Sequence, residues 1–157
     1  MLCYTYFMIE RIIFDWKRTL YDPSEKTLLP GAEQVLRELA EQSFDMILIG
    51  KGQDDMDEVI DALDARKYFR VVHFVAAKSD ELFGRYIPPE KPETSLVVGD
   101  RAQGEIAIGK SLGARAIWVR TGQFSDEMPL PDVPPPDETI EDIASLLDSP
   151  LLDLQHH

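Results

Sequence analysis

Two aspartates stand directly after apolar segments, and they are the residues best suited to chemistry. Asp15 follows the run Ile12-Ile13-Phe14, and Asp100 follows the run Leu96-Val97-Val98-Gly99. If both runs are strands of one parallel sheet, both carboxylates project from the edge where open α/β sheets bind ligands. With Glu105, five residues after Asp100, they could converge on one hard cation, and oxygen ligands of this kind suit Mg²⁺. Each aspartate alone could instead be a helix cap or a solubilising loop residue.

The segments around these acids alternate between short apolar stretches and stretches with helical periodicity. This alternation predicts a three-layer, Rossmann-like α/β fold, in which helices cover both faces of a parallel sheet of five strands. The predicted strands are residues 9–14, 46–49, 71–75, 96–98 and 116–119, and the predicted helices are residues 31–43, 54–65, 79–85, 104–112 and 138–147. A loop is expected at residues 15–30, and an extended surface crossing at the proline-rich residues 121–137.

In this order and spacing the motifs resemble the haloacid dehalogenase (HAD) superfamily of aspartate-nucleophile phosphohydrolases. The run Ile12-Ile13-Phe14-Asp15-x-x-x-Thr19-Leu20 is similar to the family's first motif, and Val97-Val98-Gly99-Asp100-x4-Glu105 is similar to its fourth. Further similarities are Leu29-Pro30-Gly31 before a helix, Ser111-Leu112-Gly113-Ala114, and Thr121-Gly122. The resemblance covers residues 9–147 and implies a single HAD-like domain over residues 1–157.

The resemblance implies a two-step hydrolysis of a phosphomonoester. The carboxylate of Asp15 would attack phosphorus to form an aspartyl-phosphate, which water would then hydrolyse. Mg²⁺ would be held by Asp15, by the main-chain carbonyl of Lys17 and by the fourth-motif acids Asp100 and Glu105. Lys78 matches the family's third motif, a lysine that steadies the nucleophile and the phosphate. Lys78 could instead be a solvated lysine near the start of a helix.

The residues implied on the phosphate side are Thr19, Gly50 and Lys51. Gly50 departs from the family, because the second motif normally supplies a serine or threonine that binds a phosphate oxygen. The loop formed by Gly50, Lys51 and Gly52 could still offer backbone N–H groups, and Lys51 a positive charge. Lys91 is a poorer match than Lys78 for the third-motif lysine.

The main departure from the family is Lys17, which stands where a second acid normally protonates the leaving group and activates water. Losing a positioned acid or base typically costs ~10²–10⁴-fold in rate. The ammonium of Lys17 could repel a divalent cation, point outward, pair with Asp15 in place of the cation, or act as the acid itself. The neighbouring Arg18 occupies a position where glycine is common.

Three functions are therefore compatible with the residues. The first is a Mg²⁺-dependent HAD-like phosphohydrolase, with Asp15, Lys17 and Lys78 as its catalytic residues. The alternative is a catalytically impaired HAD-fold binding or interaction protein, because Lys17 replaces the general acid/base. A phosphoacceptor like the response regulators is disfavoured, because those receivers group extra acids near the first strand and lack the Asp-x-x-x-Thr-Leu run.

The gaps between the motifs are too short for a domain that covers the site. Only about fifteen residues separate Asp15 from Pro30, and Val75 leads almost directly to Lys78. The resemblance then implies an open site that takes a phosphorylated small molecule or macromolecule, or a homo-oligomer whose neighbouring subunit covers it.

The composition indicates a soluble, cytoplasmic globular protein. The net charge of −13, from 29 acidic and 16 basic residues, disfavours nucleic-acid and anionic-membrane partners, which are recognised mainly through Lys and Arg. Cys3 is the only cysteine, so no internal disulfide is expected. No apolar run reaches the length of a membrane span, and the apolar residues 1–8 lack a basic leader. Translation could start at Met1 or at Met8.

Overall fold

A parallel sheet forms the centre of the computed structural model, which describes residues 8–52 and 55–154. The strands are β1 (Arg11–Phe14), β2 (Tyr21–Asp22), β3 (Thr27–Leu28), β4 (Asp45–Lys51), β5 (Val71–Val75), β6 (Ser95–Gly99), β7 (Arg115–Val119) and β8 (Glu138–Ile140). The α-helices are α1 (Ala32–Glu41), α2 (Met56–Ala62), α3 (Asp80–Gly84) and α4 (Glu105–Ser111). Short 3₁₀ helices span Arg66–Tyr68, Pro92–Thr94, Gly122–Phe124 and Ile143–Asp148.

The main sheet has the strand order β5-β4-β1-β6-β7-β8, and its pairings are parallel. Strand β1 lies between β4 and β6, and Phe14 pairs with Val98 in register. The N–H of Asp15 continues this pairing by donating to the carbonyl of Val98 at 2.9 Å. The ends of β1 and β6 are therefore adjacent, as the convergence of Asp15 and Asp100 requires.

Successive side chains of the central strands enter two separate cores, one on each face of the sheet. In β1, Ile12 and Phe14 pack on the face that α1 and α2 cover, whereas Ile13 packs on the face that α3 and α4 cover. All three side chains are completely buried. This alternation explains why the strands read as continuous apolar runs, and it confirms the predicted α/β class with helices on both faces.

The prediction of five strands and of a helix at residues 138–147 was wrong. Glu138–Ile140 forms a sixth strand beside β7, and a 3₁₀ helix, Ile143–Asp148, follows it. Two interactions fix this arrangement: Asp137 exchanges hydrogen bonds with the backbone of Ala116, and the carboxylate of Asp142 accepts the N–H of Ser145. The buried apolar residues of this segment have helical spacing, so periodicity alone could not separate a helix from a strand followed by a turn.

The segment predicted as a loop at residues 15–30 contains the hairpin of β2 and β3. A tight turn precedes it, in which the carbonyl of Trp16 accepts the N–H groups of Thr19, Leu20 and Tyr21. Arg18 sits in this turn with φ 64°, in the left-handed region. Neither this hairpin nor the link of residues 76–79 between β5 and α3 is long enough to form a separate domain.

The remaining predicted elements differ from the structure mainly at their ends. The helix expected at 54–65 runs from Met56 to Ala62, and residue 54 lies outside the described residues, as do residues 1–7 with Met1 and Cys3. Within residues 8–52 and 55–154, the helices lack the length and apolarity needed to cross a bilayer.

Candidate active site

Three buried acids converge at the carboxyl ends of β1 and β6. Asp15 follows β1, Asp100 follows β6, and Glu105 begins α4. Each offers a carboxylate oxygen within 4.8 Å of the others. Relative exposure is 5% for Asp15 and 1% for both Asp100 and Glu105, so the cluster lies beneath the surface. Carboxylates are rarely buried unless they are paired or bind a cation, which makes this cluster a candidate site.

Gly99 makes room for Glu105. A Cβ at position 99 would lie 2.2 Å from Oε1 and 2.4 Å from Cγ of Glu105, so any other residue would displace that side chain. On the other side, the indole Nε1 of Trp118 donates to the main-chain carbonyl of Asp100 at 3.0 Å. The sequence Gly99-Asp100-x4-Glu105 is thus a packing requirement as well as a chemical motif.

Both carboxylate oxygens of Asp15 have partners. Lys78 Nζ lies 2.5 Å from Oδ1, and the hydroxyl of Thr19 donates to Oδ2 at 3.0 Å. Lys78 also lies 3.5 Å from a carboxylate oxygen of Glu105, and it is 12% exposed. Thr19 is completely buried and its hydroxyl donates to Asp15, so it orients that carboxylate, and its predicted contact with phosphate stays a prediction.

Asp100 is held differently from Asp15. Its Oδ2 accepts the Nε–H of Arg18 at 3.1 Å, and its buried Oδ1 has no hydrogen-bond partner within the described part of the chain. An unpartnered buried carboxylate oxygen is costly unless a cation or water reaches it. Asp100 is thus the member of the acidic cluster with one carboxylate oxygen left open.

The acids differ in protonation because their neighbours differ. Burial alone would raise the pKa of Asp15, but the Lys78 ammonium and several hydrogen bonds outweigh it and hold that pKa below its usual value. Burial and the adjacent Asp15 raise the pKa of Asp100 to about 7, although Arg18 opposes the rise. Burial and the charge of Asp15 raise the pKa of Glu105 well above normal. Burial likewise disfavours the Lys78 ammonium, but the acids outweigh it and raise the pKa of Lys78.

These observations test whether a divalent cation fits. The donors are three carboxylates with oxygen atoms close enough to share one ion, and one oxygen of Asp100 lacks a partner. Oxygen-only ligands suit Mg²⁺, and cation binding would release the protons that the raised pKa values favour. The acids therefore fit Mg²⁺. The main-chain carbonyl of Lys17 as a further ligand stays a prediction.

A cavity of about 640 Å³ opens beside the acids and is lined by several basic residues. Lys17 and Lys51 line it, together with Asp15, Lys78 and Asp100. Among the described residues Lys17 takes part in no ion pair, so its charge is available to the cavity. A second depression, of about 920 Å³, lies near Glu10 and Arg37, but the acids at the ends of β1 and β6 do not line it.

Gly50 has a steric explanation. A Cβ at this position would lie 2.7 Å from Cβ of Trp16 and about 3 Å from the ring of Phe74, so the serine or threonine of the second motif does not fit. The N–H of Gly52 donates to the carbonyl of Val75 and is not offered to an anion, contrary to expectation. In this loop Lys51 and Gly52 line the cavity.

The structure brings Asp15, Thr19, Lys78, Asp100 and Glu105 into contact or near contact, and their catalytic roles stay predictions. Lys91 lies elsewhere, 3.3 Å from Glu10. Arg18 stands out in the sequence only as an unusual residue, and its contact with Asp100 was not predicted. Phe124 was not predicted either, and its ring lies 5.0 Å from the Arg18 guanidinium and 4.0 Å from that of Arg101. No local signal marks an aromatic residue in the proline-rich crossing as part of a site.

Solved structures share this fold at low sequence identity. An uncharacterized protein from Listeria monocytogenes serotype 4b aligns with TM-score 0.71 and 16% identity over 89% of this chain and 96% of that chain. The HAD-hydrolase YfnB from Bacillus subtilis, bound to magnesium, aligns with TM-score 0.65 and 20% identity over 82% of this chain and 57% of its own. CbbY from Rhodobacter sphaeroides, in complex with phosphate, aligns with TM-score 0.67 and 17% identity over 94% of this chain and 100% of that chain.

None of the curated protein sequences matches this chain. The sequence profile of the HAD-hydrolase-like family matches residues 34–146, which include Lys78, Asp100 and Glu105 but not Asp15. The match covers more than half of the chain, and it agrees with the fold and with the acids at the strand ends. This protein therefore belongs to the HAD-hydrolase-like family.

Proposed function

We propose that this protein is a Mg²⁺-dependent phosphohydrolase that cleaves a phosphomonoester through an aspartyl-phosphate at Asp15. The observation that carries the proposal is the environment of Asp15, a carboxylate held between Lys78 and Thr19 at the wall of a cavity that Lys17 and Lys51 also line. Its lowered pKa keeps it ionised at neutral pH, as a nucleophile must be. The magnesium and phosphate in the YfnB and CbbY structures add support from the same fold.

In the first step a carboxylate oxygen of Asp15 forms a bond to phosphorus while the bond from phosphorus to the ester oxygen breaks. Lys78 stays beside Asp15 and offers positive charge to the phosphoryl oxygens, which stabilises charge that develops in the transition state. Asp15, Asp100 and Glu105 would hold Mg²⁺, which would supply further charge neutralisation. In the second step water attacks phosphorus, inorganic phosphate leaves, and the carboxylate of Asp15 is restored.

The leaving oxygen requires a proton in the first step, and the attacking water must lose one in the second. Lys17 lines the cavity and its ammonium can donate the first proton to the ester oxygen. The resulting amine can then accept a proton from the attacking water, which returns Lys17 to its charged form. This assigns to Lys17 the role that a second acid plays in the family's usual first motif.

Hydrolysis of p-nitrophenyl phosphate and of a panel of phosphometabolites tests the proposal. We expect turnover with Mg²⁺ that disappears with EDTA and in Asp15→Asn, and radiolabel from substrate that is trapped on Asp15. Asp45→Asn is a matched control, since Asp45 pairs with Arg70 at the start of β4. Turnover that survives in Asp15→Asn would rule out the nucleophile assignment.

A catalytically impaired binding protein is the second candidate. It is favoured by Lys17 at the position of the general acid and by Gly50, where Trp16 and Phe74 exclude a hydroxyl-bearing side chain. This candidate predicts phosphate binding without a phosphoenzyme. Lys17→Asp separates the two functions: restoring the acid should raise turnover in an impaired protein and lower it in an enzyme that uses Lys17.

Our proposals for the ligand and the cellular location rest on the cavity beside the acids and on the acidic composition. We propose a phosphorylated small molecule or macromolecule as substrate, or a second subunit that covers the site in a homo-oligomer. With a net charge of −13, nucleic acid and anionic membranes are not expected partners. The proposed location is the cytoplasm.

A further inference from the structure

We propose that Arg18 is a tethered cation that takes the place of Mg²⁺ on Asp100 and must be displaced before the metal binds. The proposal rests on the metal site of the proposed function, and it adds a residue that regulates binding of Mg²⁺ to that site. The guanidinium Nε lies 3.1 Å from Oδ2 of Asp100, whose side chain is 1% exposed. Arg18 itself is 30% exposed, so it reaches down to a buried acid from a position that can return to solvent.

The backbone of Arg18 has an unusual conformation. Its φ of 64° lies in the left-handed region, which glycine adopts readily and arginine rarely does. The N–H of Arg18 donates to the carbonyl of Tyr21 at 2.7 Å, and the carbonyl of Trp16 closes the same turn. A non-glycine residue in a strained turn beside a site is an observation that calls for a functional explanation.

The guanidinium and the metal compete for the same carboxylate. The open Oδ1 of Asp100 would take Mg²⁺, while the Arg18 guanidinium holds Oδ2 of the same carboxylate at 3.1 Å. Two cations on one buried carboxylate repel each other strongly. When ionised, the three acids with Lys78 and Arg18 carry one net negative charge. With Mg²⁺ in place of Arg18 the same group is neutral.

The displaced guanidinium has a place to go. The centre of the Arg18 guanidinium already lies 5.0 Å from the ring of Phe124, in the range of a cation–π contact. Arg101 stacks on the same ring at 4.0 Å and is held by Glu127 at 2.9 Å. Phe124 can therefore retain Arg18 near the cavity after it leaves Asp100, where its charge faces an incoming phosphate.

Calorimetric titration with Mg²⁺ alone tests the competition without measuring activity. We expect Arg18→Gly and Arg18→Gln to bind Mg²⁺ about tenfold or more tightly than the wild type. Glycine also relieves the left-handed backbone, whereas glutamine keeps a polar side chain on the same backbone and removes the charge and the Nε–H contact. Two controls remove a positive charge elsewhere: Arg37→Ala on the exposed face of α1, and Lys17→Gln in the same cavity. Arg37→Ala should stay within twofold of the wild type, and Lys17→Gln should gain less than Arg18→Gln.

A second measurement follows Arg18 directly. The ¹⁵N–¹H signal of its Nε should shift toward the position of a solvated arginine as Mg²⁺ saturates the protein. An unchanged signal at saturation, equal Mg²⁺ affinity in the wild type and Arg18→Gly, or an equal gain in Lys17→Gln would overturn the proposal. Equal affinity leaves the proposed hydrolase intact. A tenfold gain in a protein without phosphatase activity would overturn the hydrolase and retain the competition.

Discussion

Asp15 and Asp100 occupy matching positions at the ends of neighbouring strands, yet their surroundings are opposite. Asp15 has a partner on each oxygen, Lys78 and Thr19, and its pKa is lowered. Asp100 has Arg18 on one oxygen and no partner on the other within the described residues, and its pKa rises to about 7. One aspartate is held as a carboxylate with both oxygens paired, whereas the other keeps one oxygen open to a cation.

This difference shows that a strand-end aspartate acquires its chemistry from side chains that arrive from elsewhere in the fold. Lys78 comes from the link after β5, and Arg18 comes from the turn after β1. The long side chain of Lys78 carries an ammonium with three N–H donors, which neutralises Asp15 and Glu105 together. The planar guanidinium of Arg18 neutralises one oxygen of Asp100 and leaves the other open.

The largest expected effect separates the two aspartates by activity. Asp15→Asn should lower kcat at saturating Mg²⁺ by about 10³-fold or more, which is ~4 kcal/mol of transition-state stabilisation. Asp100→Asn should instead raise the Mg²⁺ concentration that gives half-maximal rate, because it removes a ligand and not the nucleophile. Steady-state kinetics over a range of Mg²⁺ concentrations measure both. The same kinetic change in Asp15→Asn and Asp100→Asn would contradict the separate roles of nucleophile and metal ligand.

Removing the ammonium of Lys78 should destabilise the fold. Lys78→Met leaves Asp15 and Glu105 without their shared cation, and breaking a buried ion pair from one side costs roughly 3–5 kcal/mol. Urea unfolding of the metal-free protein at pH 7 measures the change. Lys67→Met is the control, because Lys67 pairs with Asp64 on the surface and its loss should leave the unfolding free energy unchanged. If Lys78→Met were as stable as the wild type, Asp15 and Glu105 would not need the Lys78 ammonium to neutralise them.

The raised pKa of Asp100 predicts a dependence of stability on pH. The folded protein keeps a proton on Asp100 up to about pH 7, whereas the unfolded chain loses it near pH 4. The free energy of unfolding of the metal-free protein should therefore fall as pH rises through that window, by on the order of 2–4 kcal/mol. In Asp100→Asn the contribution of Asp100 to this decrease in the free energy of unfolding should disappear. Saturating Mg²⁺ should make the decrease in the wild type smaller. Urea unfolding at several pH values, with and without EDTA, provides the comparison.

The smallest effect concerns the space that holds Glu105 beside both aspartates. Gly99→Ala places a Cβ against Glu105 and should cost roughly 1–3 kcal/mol, as overpacking typically does. Gly84→Ala is the matched control, because a Cβ there meets nothing within 4 Å and alanine favours the helix. Thermal unfolding of the two variants measures the contrast. A Gly99→Ala protein as stable as Gly84→Ala would mean that Glu105 can move without cost.

Most of the fold could be predicted from local patterns. Five of the six main strands and the helices α1 to α4 are short apolar or amphipathic segments, and tertiary packing reinforces those local preferences. The strand Glu138–Ile140 could not be predicted, since three residues carry no period of their own and gain their conformation from the edge of β7. The hairpin after β1 is also short, and its backbone is set by the turn at Trp16.

By itself the sequence determined that Asp15 and Asp100 each follow an apolar strand and that Lys17 and Gly50 depart from the family pattern. Apolar runs and glycine positions are local properties, so these features can be recognised without coordinates. Only the tertiary structure decided that Lys78 binds Asp15, that Trp16 and Phe74 exclude a side chain at Gly50, and that Arg18 binds Asp100. These contacts join residues that are distant in the chain, and their distances arise only when the sheet and its loops pack together.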